Sequence, residues 1–319
     1  MSTLGKFLSV IAAAVLFTSV QSCSSGPMPE APGKSSGSGT STTGASFSET
    51  EVQVPEHTEG QTYETGGLSM TPRDRDSIIS VLFIGNSFSY YNDMNKPDGI
   101  FAKIAKNAGY SKIRVKAVYK GGYYLRQFLD GKDEYGAQVL SMLNSSTVYD
   151  IVIIQEQSAN PISHPDDFFD SVRKFKGLTD KNGGELWLYS TWGYKTGYSS
   201  LSKYGGKTEI MEMKLRAAYS AIAEELGIGV AYAGAAMTKS FIENPSIDLY
   251  NSDLKHPSEA GSYLAAWTLF GTIFGTDPAS LDYNGTLSPR TAAILKSVAS
   301  SIVREGAEVD LKFRITAKQ

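Results

Sequence analysis

Cysteine, histidine and long apolar runs are what this 319-residue chain has least of. Its single cysteine, Cys23, excludes an internal disulfide and any thiol-rich zinc site. Three scattered histidines, His57, His164 and His256, offer no credible ligand set, so neither metal nor cofactor is expected. Charge of one sign is also scarce: 30 Lys and Arg oppose 33 Asp and Glu, for a net charge of −3 and a pI near 5.7. No basic stripe stands out, and nucleic acid is not an expected partner. No internal repeat is visible. Hydrophobic residues make up 41% and charged residues 20%, an ordinary globular balance over a length that allows one large domain or two small ones.

The first 22 residues carry one basic residue, Lys6, then an apolar stretch, Phe7–Val20, too short to span a bilayer comfortably. This is the pattern of an export signal. It ends in Val20-Gln21-Ser22-Cys23, which resembles the cleavage site of a bacterial lipoprotein. The resemblance implies cleavage before Cys23, a lipid on its sulfur, and attachment to the bacterial cell envelope, facing periplasm or surface. The membrane is then a partner through that lipid alone. Lys34–Thr50 is nearly all Ser, Gly, Thr and Ala. Such a segment buries too little to offset its ordering entropy. Residues 23–76 are therefore expected to be a flexible tether, and 77–319 the folded body.

Within the body, strand and helix signals alternate. Ile78–Ile84, Ile113–Tyr119, Asp150–Ile154, Leu186–Ser190 and, more weakly, Gly229–Ala233 read as strands, several apolar on both sides. Helical patterns cover Pro97–Ala108, a stretch from Tyr123, Ala137–Leu143, Asp166–Leu178, a long segment with Met211, Leu215, Ala218, Tyr219, Ile222 and Leu226 on one stripe, Pro257–Phe274, and Ser288 to about Glu305. Val309–Ile315 alternates and predicts an added edge strand. This alternation implies a parallel sheet covered by helices on both faces, with its ligand crevice at the carboxyl ends of the strands.

Polar groups cluster at those ends. Ser87 follows the first strand, Gly122 the second, Gln155-Glu156-Gln157 the third, and Trp192 and Tyr194 the fourth. Asp253 and His256 precede the Pro257 helix. Serine needs an adjacent base to act as a nucleophile. A carboxylate three residues before a histidine can hold one ring nitrogen and leave the other facing outward. By itself, Asp253-Leu254-Lys255-His256 reads as a turn and a helix start, and Gly121-Gly122 can be a plain turn.

Together, Gly85-Asn86-Ser87, Gly122, a side-chain amide after the third strand, and Asp253-Leu254-Lys255-His256 resemble the four sequence blocks of the SGNH (GDSL-like) hydrolases. The resemblance spans nearly all of residues 77–280. It implies a flavodoxin-like three-layer α/β/α sandwich with a parallel five-stranded sheet, and ester hydrolysis through an acyl-enzyme. Ser87 takes the nucleophile position, His256 the base and Asp253 its partner. The N–H groups of Ser87 and Gly122 and a side-chain amide take the oxyanion-hole positions. Two features depart from the pattern. Asn86 replaces a frequent aspartate, and the third block reads Gln155-Glu156-Gln157-Ser158 where Gly-x-Asn-Asp is usual. This Gln-type block is similar to branches of the superfamily that act on acetylated sugars. Gln155 is the first choice for the amide and Gln157 the reserve. Asn86, Tyr90, Trp192 and Tyr194 are the expected substrate-binding residues, although the aromatic ones suit a core edge equally well.

These expectations amount to a lipid-anchored serine esterase acting on acylated carbohydrate or another small ester. The alternative is a glycan-binding lipoprotein without turnover. A nucleotide binder is disfavoured, because Asn86–Asp93 carries Phe88, Tyr90 and Tyr91 where a phosphate cradle wants glycine.

Overall fold

A computed structural model describes residues 62–64, 73–306 and 308–310. Strands β1 (Thr62–Glu64) and β7 (Glu308–Asp310) pair antiparallel as a separate ribbon. The main sheet contains β2 (Ser80–Gly85), β3 (Arg114–Tyr119), β4 (Ile151–Ile154), β5 (Glu185–Tyr189) and β6 (Gly229–Ala231), ordered β3-β2-β4-β5-β6 and parallel throughout. This is the expected three-layer arrangement.

The alternation along β2 explains its unbroken apolar run. Val81 and Phe83 face one layer, where Phe101, Trp267, Phe270 and Leu295 pack. Those residues come from helices α2 (Ile100–Asn107), α9 (Glu259–Phe274) and α10 (Pro289–Glu305). Leu82 and Ile84 face the other layer with Phe128, Val139, Phe168, Phe175 and Ile222. These belong to α3 (Leu125–Leu129), α4 (Glu134–Leu143), α6 (Pro165–Asn182), which follows the short α5 (Asn160–Ser163), and α7 (Thr208–Leu226). Both faces of the sheet are buried, so neither can alternate with polar residues.

Several boundaries differ from the sequence reading. Residues 97–99 form a turn and α2 starts at Ile100, while Pro257 bridges to Tyr250 and Ser258 caps α9 by accepting from the Gly261 N–H. Asp133 caps α4 through the Tyr135 and Gly136 N–H groups, starting it before Ala137. A helix that the pattern missed, α8 (Ala233–Glu243), follows β6 immediately. Its Ala-Gly-Ala-Ala start has too little contrast to show a stripe. The expected edge strand after Val309 does not join the main sheet. Glu308–Asp310 pairs with Thr62–Glu64 instead, and residues 311–315 lie outside the described residues.

The body also begins earlier than Ser77. Arg73 bonds Glu185 and lies over Phe274, and Arg75 lies over Tyr110. Apart from Thr62–Glu64 and Arg73–Asp76, the expected tether, along with the export signal and Cys23, falls outside the described residues. Among the described residues, no helix is long and apolar enough to cross a membrane.

Two glycines test this packing in opposite directions. A Cβ on Gly234 in α8 would stand 2.0 Å from the Thr191 carbonyl oxygen, so backbone must move. Gly177 lies exposed within α6 and meets nothing within 4 Å. Gly234→Ala should lower stability by about 1–3 kcal/mol. Gly177→Ala should raise it by about 0.5–1 kcal/mol. Urea denaturation of the two variants measures both signs.

Candidate active site

The carboxyl ends of β2, β3 and β4 are joined by buried polar groups. At the end of β2, Asn86 caps the short helix α1 (Ser87–Tyr90), its Oδ1 accepting from the Phe88 N–H at 3.2 Å. Its Nδ2 donates to the Tyr123 carbonyl at 2.9 Å, and its backbone N–H donates to Gln155 Oε1 at 3.0 Å. Asn86 is thus buried and fully engaged, and does not face substrate as expected. Gly85 is required by the same closeness, since a Cβ there would lie 2.8 Å from both Gln155 Oε1 and Ser89 Oγ.

Ser87 opens α1 with its own N–H making no hydrogen bond among the described residues. Its Oγ lies 2.7 Å from His256 Nε2. His256 Nδ1 lies 2.5 Å from Asp253 Oδ2. Asp253 Oδ1 accepts from the His256 and Lys255 N–H groups at 2.9 and 3.1 Å. Partial burial pushes the Asp253 carboxyl up, but the His256 ring and these two donors outweigh it and hold the carboxyl below its usual value. An ionised Asp253 selects the tautomer in which Nδ1 carries the proton and Nε2 presents its lone pair to the Ser87 hydroxyl. Two pieces of chain 169 residues apart in sequence meet here.

The loop carrying His256 is held from several sides. Asn251 N–H donates to the His256 carbonyl at 2.8 Å, Lys195 N–H to the Leu254 carbonyl at 2.8 Å, and Trp192 Nε1 to the Lys255 carbonyl at 3.0 Å. Leu254 adopts φ 61°, a left-handed conformation unfavourable for leucine. The Tyr91 ring stacks on the imidazole, with centroids 4.4 Å apart and planes 6° from parallel. Asn92, also left-handed at φ 54°, secures Tyr91 by donating to the Pro257 carbonyl at 3.1 Å and to Ser262 Oγ at 2.8 Å.

Other expected site residues are placed differently. Trp192 is fully buried, its ring 4.9 Å from Phe88, and has no face free for a sugar. Tyr194 is buried too, with its carbonyl accepting from Thr208 Oγ1 at 2.7 Å and its ring against Tyr198. Tyr90 is half-buried at the rim. Gly122 is exposed with φ +75° in the turn closed by the Tyr123 N–H and the Lys120 carbonyl, which leaves its own N–H unused there. Gln155 is 1% exposed, its Oε1 taken by Asn86 and its Nε2 by the Glu156 carbonyl. Buried there, that side chain closes the rim from inside. Gln157 is half-buried, and its side-chain amide makes no hydrogen bond among the described residues. The reserve choice is the available one.

Sequence reasoning missed the tasks of Tyr91, Asn92 and Glu156. An asparagine beside adjacent tyrosines was the legible hint of a left-handed turn. Glu156 Oε1 accepts from Leu125 N–H at 3.1 Å and Gln157 N–H at 2.6 Å, joining the loops after β3 and β4. Burial pushes its carboxyl up to about 7 against the pull of those donors, the Asn160 amide and the Arg126 charge.

No family model matches the chain, and no curated protein matches it. Solved structures do. The fold is that of the SGNH hydrolases. A protein from Slackia heliotrinireducens, described as a candidate SGNH hydrolase, is similar at 28% identity with a TM-score of 0.54, over 62% of this chain and 100% of its own. A DUF4886 family protein from Bacteroides uniformis is similar at 17% identity with a TM-score of 0.55, over 72% of this chain and 95% of its own.

The Glu156 carboxyl predicts a pH effect. Its value rises from 4.5 to about 7 on folding, so between these values the native chain keeps a proton that the unfolded chain has lost. Stability should fall as pH rises through that window, by about 3 kcal/mol in all. Glu156→Gln keeps the Oε1 acceptor and should remove this dependence. Urea melts at pH 5 and pH 8.5 compare the two proteins directly.

Proposed function

We propose that this protein is a serine ester hydrolase that removes acetyl or other small acyl groups from carbohydrate. The observation that carries the proposal is the hydrogen-bonded chain from Ser87 Oγ through the His256 ring to Asp253 at the carboxyl rim of the sheet. Similarity to a candidate hydrolase of the same fold supports it. In this reading Ser87 Oγ attacks the ester carbonyl carbon as His256 Nε2 takes the hydroxyl proton. The carbonyl π electrons move onto oxygen, and the N–H groups of Ser87 and Gly122 and the Gln157 amide receive that charge. The tetrahedral centre collapses, His256 gives its proton to the departing sugar oxygen, and an acetyl group stays on Ser87. Water then repeats the sequence, with His256 again as base, and releases acetate.

The acyl preference for small groups and the carbohydrate partner rest on the Gln-type third block and the tyrosine-lined rim. The envelope location rests on the export signal and Cys23, whose lipid would leave the hydrolase domain at a membrane surface. A glycan-binding protein without turnover would not need a serine hydroxyl poised on a carboxylate-oriented imidazole.

Hydrolysis of 4-nitrophenyl acetate tests the reading. Ser87→Ala should lower the rate by on the order of 10⁴–10⁶. Gln157→Ala should lower kcat by about 10²–10³ while leaving thermal unfolding near wild type. Gln155→Ala should instead act mainly on stability. Equal rates for wild type and Ser87→Ala would dismiss the hydrolase.

A further inference from the structure

The site does not stop at His256. Tyr91, stacked on the imidazole, is itself stacked with Tyr90 at 5.7 Å and 22°. Tyr90 in turn meets Tyr119 at 4.8 Å and 35°. All three rings are half-buried, so each keeps part of its surface open. Tyr119 ends β3, the edge strand of the main sheet, and lines a groove of about 550 Å³. The other walls are Lys96 and Pro97 from the turn before α2, Lys116 from β3, and Gln138 and Met142 from α4. A column of rings packed on one another thus joins the imidazole to the groove.

The charge of that cavity is single-signed. Among the described residues, Lys96 and Lys116 line it and no acidic residue does. Among the described residues Lys116 forms no ion pair, and its Nζ lies 6.0 Å from the Tyr149 ring. Lys96 is paired with Asp93 at 2.7 Å, but both side chains are about half exposed or more, so this bond is weak in water. A second groove, of about 410 Å³, lies beyond Asn92 and carries Asp93, Asp98 and Glu259 against Lys103. An anion is favoured in the first and disfavoured in the second. Lysine on an edge strand also deters strand pairing. That role requires only exposure, and explains neither the cavity nor the three rings leading to it.

We propose that the Tyr91-Tyr90-Tyr119 track and the Lys96–Lys116 groove form an extended subsite for an acidic oligosaccharide, one with uronate carboxylates several sugars from the acylated unit. The open edges and hydroxyls of the three tyrosines meet sugar hydroxyls, and the two ammonium groups meet the carboxylates. This inference rests on the ester-hydrolase reading for its direction, since the acyl group sits at Ser87 and the chain runs toward β3.

Calorimetry on Ser87→Ala, with an O-acetylated galacturonate hexamer and an O-acetylated xylose hexamer as probes, tests the groove without turnover. The acidic hexamer should bind at least tenfold tighter at 50 mM NaCl, with the preference lost by 0.5 M. Introducing Lys116→Glu should abolish the preference, and Tyr119→Ala should weaken both hexamers. In otherwise wild-type protein, Lys116→Glu should lower kcat/KM on the acidic hexamer at least tenfold more than on 4-nitrophenyl acetate. Equal affinity for the two hexamers, or equal proportional losses on hexamer and small ester, overturns the subsite. If wild type leaves 4-nitrophenyl acetate intact while the hexamer preference holds, the hydrolase reading fails and the acidic-glycan groove stands.

Discussion

Three hydrogen bonds from one buried asparagine set the rim of this sheet. Asn86 caps the helix that presents Ser87, holds the Tyr123 carbonyl of the loop after β3, and through its N–H holds Gln155 at the end of β4. The loops that carry the serine hydroxyl, the Gly122 N–H and the third-block amides are therefore not independent. Glu156 repeats the connection one step further out, between Leu125 and Gln157. A parallel sheet places these loops side by side, but only to within a loop's freedom. The polar contacts remove that freedom, and their burial makes an unpaired member costly. A shift of one loop must then strain the other two.

This closure divides the third block between tasks. Gln155 and Glu156 are consumed by architecture, and Gln157 is left at the surface of the rim. The expectation that Gln155 faces the ligand came from its place directly after the strand. Strand periodicity argues otherwise. Continuing the two-residue alternation puts Gln155 on the face of Ile153, which packs against the α2 and α9 layer. The side chain that follows the strand goes inward, and the next odd residue, Gln157, lies past the strand's end, where it is only half-buried.

Much of the fold was legible because burial on both faces leaves an unambiguous mark. β2 and β4 could be read from Val81–Ile84 and Ile151–Ile154, and the SGNH-like order of Ser87, Asp253 and His256 located the two segments that meet. The aromatic loop after β5 left both readings open for a physical reason. Glycine, tyrosine and serine compose rim loops and tightly packed ones alike, and composition carries no depth. Gly193 discloses the packing only in three dimensions, where a Cβ would stand 2.2 Å from the Thr208 carbonyl oxygen. Trp192 is buried, with its indole N–H on Lys255. α8 was invisible because small residues pack where bulky ones would show a stripe, and the contact that requires Gly234 comes from Thr191, far away in sequence.

The placement of the imidazole shows where the folding free energy of this region goes. Asn92, Asp93 and Leu254 all hold left-handed backbone, each at a cost of about 1–3 kcal/mol where the residue is bulky. Buried contacts around them offset that cost: the Asn92 amide on Pro257 and Ser262, the Lys195 N–H on Leu254, and the Trp192 N–H on Lys255. Their common result is a ring fixed in plane by Tyr91, in tautomer by Asp253 and in depth by Phe88. A base fixed before substrate arrives needs no reorganisation when the serine proton moves. In the proposed reaction the strain in these turns is therefore settled on folding, and the benefit falls in the chemical step more than in ligand affinity. The same turns set the first ring of the tyrosine track, so the geometry that orients the base also fixes where an extended ligand would begin.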